Sequence, residues 1–346
     1  MRAVQLTEIG KPLELREIAL PEPGPDEIRV KVLAAGICHS DAHYRAGASS
    51  VGFLPITLGH EIAGVVDAVG SAVEGVSIGD RVAVHYLFTC GKCEYCTRGL
   101  EQFCVKGRMV GKHANGGYAE YVVAPARNAI PIADSVSTAA AAIMMCSSAT
   151  AFHALCKARV AAGDRVAIFG AGGLGMSAIQ LARACGATEV FAVDIDQAKL
   201  DAAEAYGAHP IDPARGDPAR QLHDLTRGRG VDVALEFAGL PVTQVQAVES
   251  LAVQGRAALA GISSGPFAVH GYPTLINREA EIIGVSDHLR SELMTLMEFA
   301  RSGLLDLESV IADRIPLDSG EINARLDALA DFRGQTRSVI VTGGEE

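Results

Sequence analysis

Four cysteines fall within fifteen residues as Cys90-x-x-Cys93-x-x-Cys96-x7-Cys104, with Gly91 and Gly99 to turn the loop. Four thiolates close a tetrahedral shell around Zn²⁺ and leave no open position, so this spacing reads as a structural metal site. A second set is dispersed. Gly36-Ile37-Cys38-His39-Ser40-Asp41-Ala42-His43 offers a thiolate among polar neighbours, and Gly59-His60-Glu61 offers an imidazole beside a carboxylate. Another thiolate follows in Met144-Met145-Cys146-Ser147-Ser148. Two Cys and one His with a fourth position open is one ligand set of catalytic zinc. By spacing alone, Cys146 equally fits a small buried hydrophobe.

The third motif suits a dinucleotide. Gly170-Ala171-Gly172-Gly173-Leu174-Gly175 follows an apolar run and opens a helical pattern. Gly170 allows the tight turn, Gly172 a close approach to a pyrophosphate, and Gly175 close helix–strand packing. The helix that this turn opens, beside Gly173 and Leu174, presents an amino end that favours phosphate. Asp194 closes the next apolar run, placed to bond the adenosine ribose and repel a 2′-phosphate. Ile195 and Asp196 bring no arginine to accept that phosphate, so NAD is expected over NADP. Lys199 either reaches the ribose or is an exposed helix lysine.

Positioning these groups takes two kinds of domain. Up to about residue 145 the chain shows short β-type runs broken by Gly and Pro, among them Ile28–Val32, Ile62–Val69 and Arg81–Val84. These predict an all-β, barrel-like domain. From Arg165 the pattern turns to strands at Arg165–Phe169, Glu189–Val193, His209–Ile211, Val231–Phe237, Arg256–Ala260 and Glu281–Val285. Helical patterns lie between them at Leu174–Cys185, Asp196–Tyr206, Pro218–Thr226 and Val242–Val253. This alternation predicts an α/β, doubly wound parallel Rossmann sheet. Later come helices at Glu292–Ser302 and Gly320–Ala330, and a strand, Arg337–Val341, suited to rejoin the first domain's sheet. The expected division is 1–147 with 288–346, and 148–287.

Composition narrows the function classes. Acidic residues outnumber basic ones 41 to 30, a net charge of −11, which disfavours a phosphate-backbone binder. Trp is absent and aromatics are 5%, too few for a base-stacking platform. Nucleic acid is therefore not an expected partner. The uncharged stretch Ser135–Cys156 carries four Ser, two Thr and a His and reads as a buried or active-site segment, not a membrane span. No targeting signal is visible, and the chain reads as cytoplasmic. In a reducing compartment, clustered cysteines are metal ligands before they are disulfides.

Taken together, these motifs resemble the zinc-dependent medium-chain alcohol dehydrogenases over nearly the whole chain. That resemblance implies a GroES-like barrel beside the Rossmann sheet, NAD, and two zinc ions per chain, one catalytic and one structural. It places the catalytic zinc on Cys38, His60 and Cys146, with Glu61 able to approach it during ligand exchange and Asp41 holding the His60 ring. Ser40 would hydrogen-bond the alcohol oxygen, and His43 would pass the proton to solvent by way of the nicotinamide ribose. His39 stands where members often carry Arg against the coenzyme pyrophosphate. Cys156 and Cys185 match no ligand position and read as packing.

The implied reaction is reversible oxidation of a primary or secondary alcohol to an aldehyde or ketone. Tyr86, Phe88 and Leu289 are candidates for the substrate pocket. The Cys104–Cys146 stretch is short, as in the tetrameric bacterial and yeast enzymes, so a homotetramer is expected. A polyol dehydrogenase is the alternative, but relatives of that type usually take Glu as third ligand where this chain has Cys146. Further off are a zinc-independent reductase, which would leave Cys38 and His60 idle, and a non-catalytic NAD-binding protein.

Overall fold

In the Glu27–Ile37 strand, Val30 and Val32 point into the core while Lys31 between them is exposed, the period of a half-buried strand. From Ala34 to Ile37 every residue is buried, so the strand plunges into the interior just before Cys38. The structure, a computed structural model, describes residues 1–263, 265–331 and 337–342.

The chain forms two units: Met1–Cys146 with Leu289–Arg301 and Asp306–Glu346, and Ser147–His288 with Ser302–Leu305. Ser302–Leu305 thus groups with the second unit, inside the stretch that the sequence assigns to the first. In the first unit, a seven-stranded sheet has the order Ala129–Pro131, Arg81–Val84, Glu61–Val69, Glu27–Ile37, Arg337–Val341 and Ile311–Pro316, with Tyr121–Pro125 also on Glu27–Ile37. Arg337–Val341 pairs antiparallel with Glu27–Ile37. A three-stranded sheet (Glu14–Glu17, Arg2–Leu6, Ile56–Thr57) accompanies it. One core cluster includes Val4, Ile28, Ile62, Val84 and Tyr118.

In the second unit, six parallel strands take the order His209–Ile211, Glu189–Val193, Arg165–Phe169, Val231–Glu236, Leu251–Leu259, Glu281–Gly284. The order reverses beside Arg165–Phe169, the switch point at which such sheets bind dinucleotides. Asp196 and Asp217 cap the amino ends of their helices by accepting from Ala198 and Arg220 N–H, each contributing about 1 kcal/mol. One expectation needs correcting. The helix read as Val242–Val253 ends at Glu249, and Leu251–Val253 belongs to the next strand. Gln254, at φ 58°, lies where the pairing of that strand with Val231–Glu236 shifts register, between Leu251 and Arg256.

Thr138–Lys157 is long and apolar enough to cross a membrane, yet 89% of an 18-residue stretch of it is buried within the protein. That is the burial of a core helix.

Candidate functional site

The Glu27–Ile37 strand delivers Cys38 to the amino end of the His39–Ala46 helix. Asp41, one turn in, is wholly buried and accepts on both oxygens. Its Oδ2 takes the Cys38 N–H at 3.1 Å and the Tyr118 hydroxyl at 2.8 Å. Its Oδ1 takes the Gly59 N–H at 3.3 Å and faces His60 Nδ1 at 3.3 Å. Gly59 lies at φ +90°, and a Cβ there would overlap the Tyr118 ring. Only glycine turns the chain into His60 at this point.

The far side of the His60 ring meets the third chain segment, with Nε2 3.3 Å from Cys146 Sγ. Cys146 sits on a π turn, Met144–Ser148, between the Thr138–Ile143 and Ala149–Lys157 helices. Such single turns recur at functional sites. One donor atom each from Cys38, His60, Glu61 and Cys146 lies within 4.8 Å of the others.

Electrostatics show what this cluster is built for. Hydrogen bonding to Cys146, with help from His60 and Arg337, overcomes burial and holds the Cys38 thiol well below its usual range. Burial alone would push the His60 ring toward neutrality, but the Asp41 carboxylate and the Cys38 sulfur raise it to about 10. A thiolate at Cys38 and a carboxylate at Asp41 thus set negative charge on either side of the His60 ring, which a divalent cation would balance. Glu61 Oε1 is buried without a hydrogen-bond partner, while Oε2 pairs with buried Arg337. A buried orphan oxygen beside two sulfurs and an imidazole fits a metal neighbour. A Cβ at Gly36 would overlap Glu61 Oε2, which explains the glycine before Ile37-Cys38.

The cysteine lobe fits a closed site. Its sulfurs lie 3.5 Å (Cys93–Cys96), 3.9 Å (Cys93–Cys104) and 4.0 Å (Cys90–Cys96) apart. A tetrahedron with Zn–S bonds of about 2.3 Å has edges of about 3.8 Å. Backbone hydrogen bonding from Cys96 lowers the Cys93 thiol to about 6, while burial raises that of Cys96 to about 11; metal binding would require both as thiolates.

In the second unit, Gly170 turns at φ +98° and Gly172 faces open space at the amino end of the Gly173–Ala184 helix. A Cβ on Gly175 would overlap Gly170 O. Asp194 braces this turn: Oδ2 accepts the Ala171 N–H at 2.8 Å and Oδ1 the Asp196 N–H at 3.0 Å. Ionised carboxylate oxygens keep further lone pairs for ribose hydroxyls. Ile195 is exposed.

A family model described as alcohol dehydrogenase GroES-like domain matches residues 24–134, and one described as zinc-binding dehydrogenase matches residues 173–302. The NAD-dependent alcohol dehydrogenase of Sulfurisphaera tokodaii is 34% identical, over 99% of this chain and 100% of that protein. The chain belongs to the zinc-dependent medium-chain alcohol dehydrogenases.

Sorbitol dehydrogenase of Bacillus subtilis is 30% identical over 95% of this chain and 94% of its own. A crystal structure of an NAD-dependent alcohol dehydrogenase superposes with TM-score 0.92 at 33% identity, covering 99% of this chain and 100% of that one. This dehydrogenase is an oxidoreductase acting on CH–OH groups of small alcohols, and its donor clusters fit one catalytic and one structural zinc beside NAD.

Other candidates are placed as follows. Ser40 and His43 are half-buried on the first helix, and the His43 ring stacks on His39 at 4.6 Å, 7° from parallel. Tyr86 is buried, with its ring edge-on to His60 at 5.3 Å. Phe88 is buried and Leu289 half-buried. Cys156 is exposed and Cys185 half-buried, so the packing role read for Cys156 does not hold. Lys199 is half-buried. Sequence reasoning missed Tyr118 and Arg337, and also Glu236. This last carboxylate is buried at the end of its strand, with Oε1 accepting from Gly239 N–H and the Thr243 hydroxyl. The signal for Glu236 was available: an acidic residue closing an apolar strand.

Proposed function

We propose that this dehydrogenase oxidises a primary or secondary alcohol reversibly at the Cys38–His60–Cys146 site. The observation that carries this is the buried convergence of those three donors with Glu61 inside 4.8 Å. Zinc held there supplies Lewis acidity that lowers the pKa of the substrate hydroxyl, and NAD⁺ supplies the hydride acceptor. Asp41 holds the His60 ring through Nδ1, and Glu61 stands ready as an alternative ligand with Arg337 balancing its charge. Ser40 Oγ would accept the hydroxyl proton while giving up its own, which would reach His43 by way of the nicotinamide ribose and pass to water. Tyr86, packed on His60, borders the substrate.

Cys90, Cys93, Cys96 and Cys104 hold the structural zinc. Gly170 to Gly175, including Gly172, Gly173 and Leu174, cradle the coenzyme pyrophosphate with His39 as a further contact. Asp194 binds the ribose, with Lys199 in support, and disfavours NADP. Cys146 in third place argues against the polyol reading. The edge strand Glu281–Gly284, with Ile282 exposed, and the exposed Tyr272 and Ile276 in the segment before it support self-association, and we infer a homotetramer. Light scattering on the purified protein measures the copy number.

The test is metal content together with NADH formation on primary, secondary, benzylic and polyol substrates. The parent should carry two zinc ions per chain. Cys38→Ser should lose one of them and all NADH formation. Full activity in Cys38→Ser would overturn the assignment.

A further inference from the structure

Asp41 is held by more than the helix it starts. Tyr118 reaches it from a separate segment, and everything about Tyr118 is fixed. Its N–H donates to Leu58 O at 3.0 Å, and its carbonyl accepts from Val4 N–H at 2.7 Å. Its ring is wholly buried and lies in the space that a side chain on Gly59 would fill. The hydroxyl then has one course, 2.8 Å to Asp41 Oδ2, which is the shortest of the four contacts that Asp41 receives. The contact to His60 Nδ1, at 3.3 Å, is among the longest.

A carboxylate with two contacts on each oxygen cannot rotate about its Cβ–Cγ bond without breaking several of them. Removing the strongest frees that rotation, and the long bond to His60 is the first to suffer.

We propose that Tyr118 is a positioning residue for the metal centre: its hydroxyl locks the Asp41 carboxylate, and through it the orientation of the His60 ring. The inference rests on Cys38, His60 and Cys146 being the catalytic zinc site. Partners one step behind a metal ligand typically alter metal affinity by 10–100-fold. The phenol stands a step further back, so an effect of about tenfold is expected.

The experiment measures zinc release from the holoenzyme to a coloured chelator, beside the visible spectrum of the protein with cobalt in the catalytic site. Tyr118→Phe keeps the ring packed on Gly59 and deletes only the hydroxyl. The faster-released zinc should leave about tenfold sooner, at the scale of such second partners, with the other zinc unchanged and the cobalt bands shifted. Asp41→Asn should also hasten release, and adding Tyr118→Phe to it should add little, because the two act in series.

Unchanged release in Tyr118→Phe, equal acceleration of both zincs, or a full additional effect in the Asp41→Asn background would each overturn the proposal. A Tyr118→Phe chain that does not fold would assign the hydroxyl to folding and overturn it too. Cys38→Ser retaining both zincs would instead overturn the site assignment, independently of Tyr118.

Discussion

Glu61 and Arg337, 276 positions apart in the chain, meet as an ion pair with side-chain exposures of 0% and 5%. The strand Arg337–Val341 brings the arginine in, two strands over from the one that Glu61 begins. Removing one member of such a pair strands a charge in the interior and costs about 3–5 kcal/mol. Arg337→Met should therefore lower the denaturation midpoint sharply, and Glu61→Gln in the same chain should restore most of it. A single variant as stable as the parent would show that the pair carries no such burden.

Coenzyme choice is the second expectation. A phosphate set against Asp194 is a like-charge contact worth several kcal/mol, so NAD⁺ should exceed NADP⁺ in kcat/KM by about a hundredfold or more. Asp194→Gly with Ile195→Arg should narrow or reverse this. Because Asp194 also braces Ala171 and Asp196, affinity for both coenzymes should fall. Equal use of the two by the parent would refute the reading of Asp194.

His43→Gln keeps hydrogen-bonding capacity and removes the ring that can take up a proton. Alcohol oxidation should fall most at low pH and recover as hydroxide takes over the last proton step. The loss should be modest, near the lower end of about 10²-fold for general acid–base assistance. Ser40→Ala should cost more, since Ser40 stands first in the relay. A pH–rate profile under conditions where hydride transfer limits the rate separates the two. An unchanged profile in His43→Gln would remove it from the relay.

Glu236 sets a pH dependence of stability. Burial raises its carboxyl pKa in spite of the hydrogen bonds from Thr243 and Gly239. The folded chain thus binds this proton more tightly than the unfolded chain, whose Glu titrates near ~4.3. The contribution to stability is full below that value and is lost as pH rises through the raised folded one. Glu236→Gln should remove the slope, so that the variant gains on the parent as pH rises above the unfolded value of ~4.3. Parallel unfolding midpoints across that range would show that Glu236 does not carry it.

What could be read from sequence was what is local in sequence. The Gly170–Gly175 turn and the Cys90–Cys104 lobe are contiguous, and their residue types are dictated by φ angles, close approaches and sulfur donors. Gly79 and Gly163, in two copies of Gly-Asp-Arg-Val, likewise turn at φ 97° and 96° ahead of their strands. The dispersed cluster was different, because Cys38, His60 and Cys146 form a set only through resemblance or through the fold. Tyr118 and Arg337 had no local mark at all, since a tyrosine after two glycines and an arginine before an apolar run mean nothing until strands pair. Leu251-Ala252-Val253 was misread because a short apolar run suits helix and strand periods alike.

The turn that carries Cys146 also constrains how the gene can drift. Each helical residue advances the chain by about 100°, and the π turn at Met144–Ser148 absorbs one residue beyond the α repeat. Deleting Met144 or Met145 would restore ordinary pitch and swing the thiol about 100° from His60. Conservative exchange is a lesser matter, since swapping Met145 for Leu costs less than about 1.5 kcal/mol. Over these two positions, then, the number of codons is held more strictly than the letters they spell.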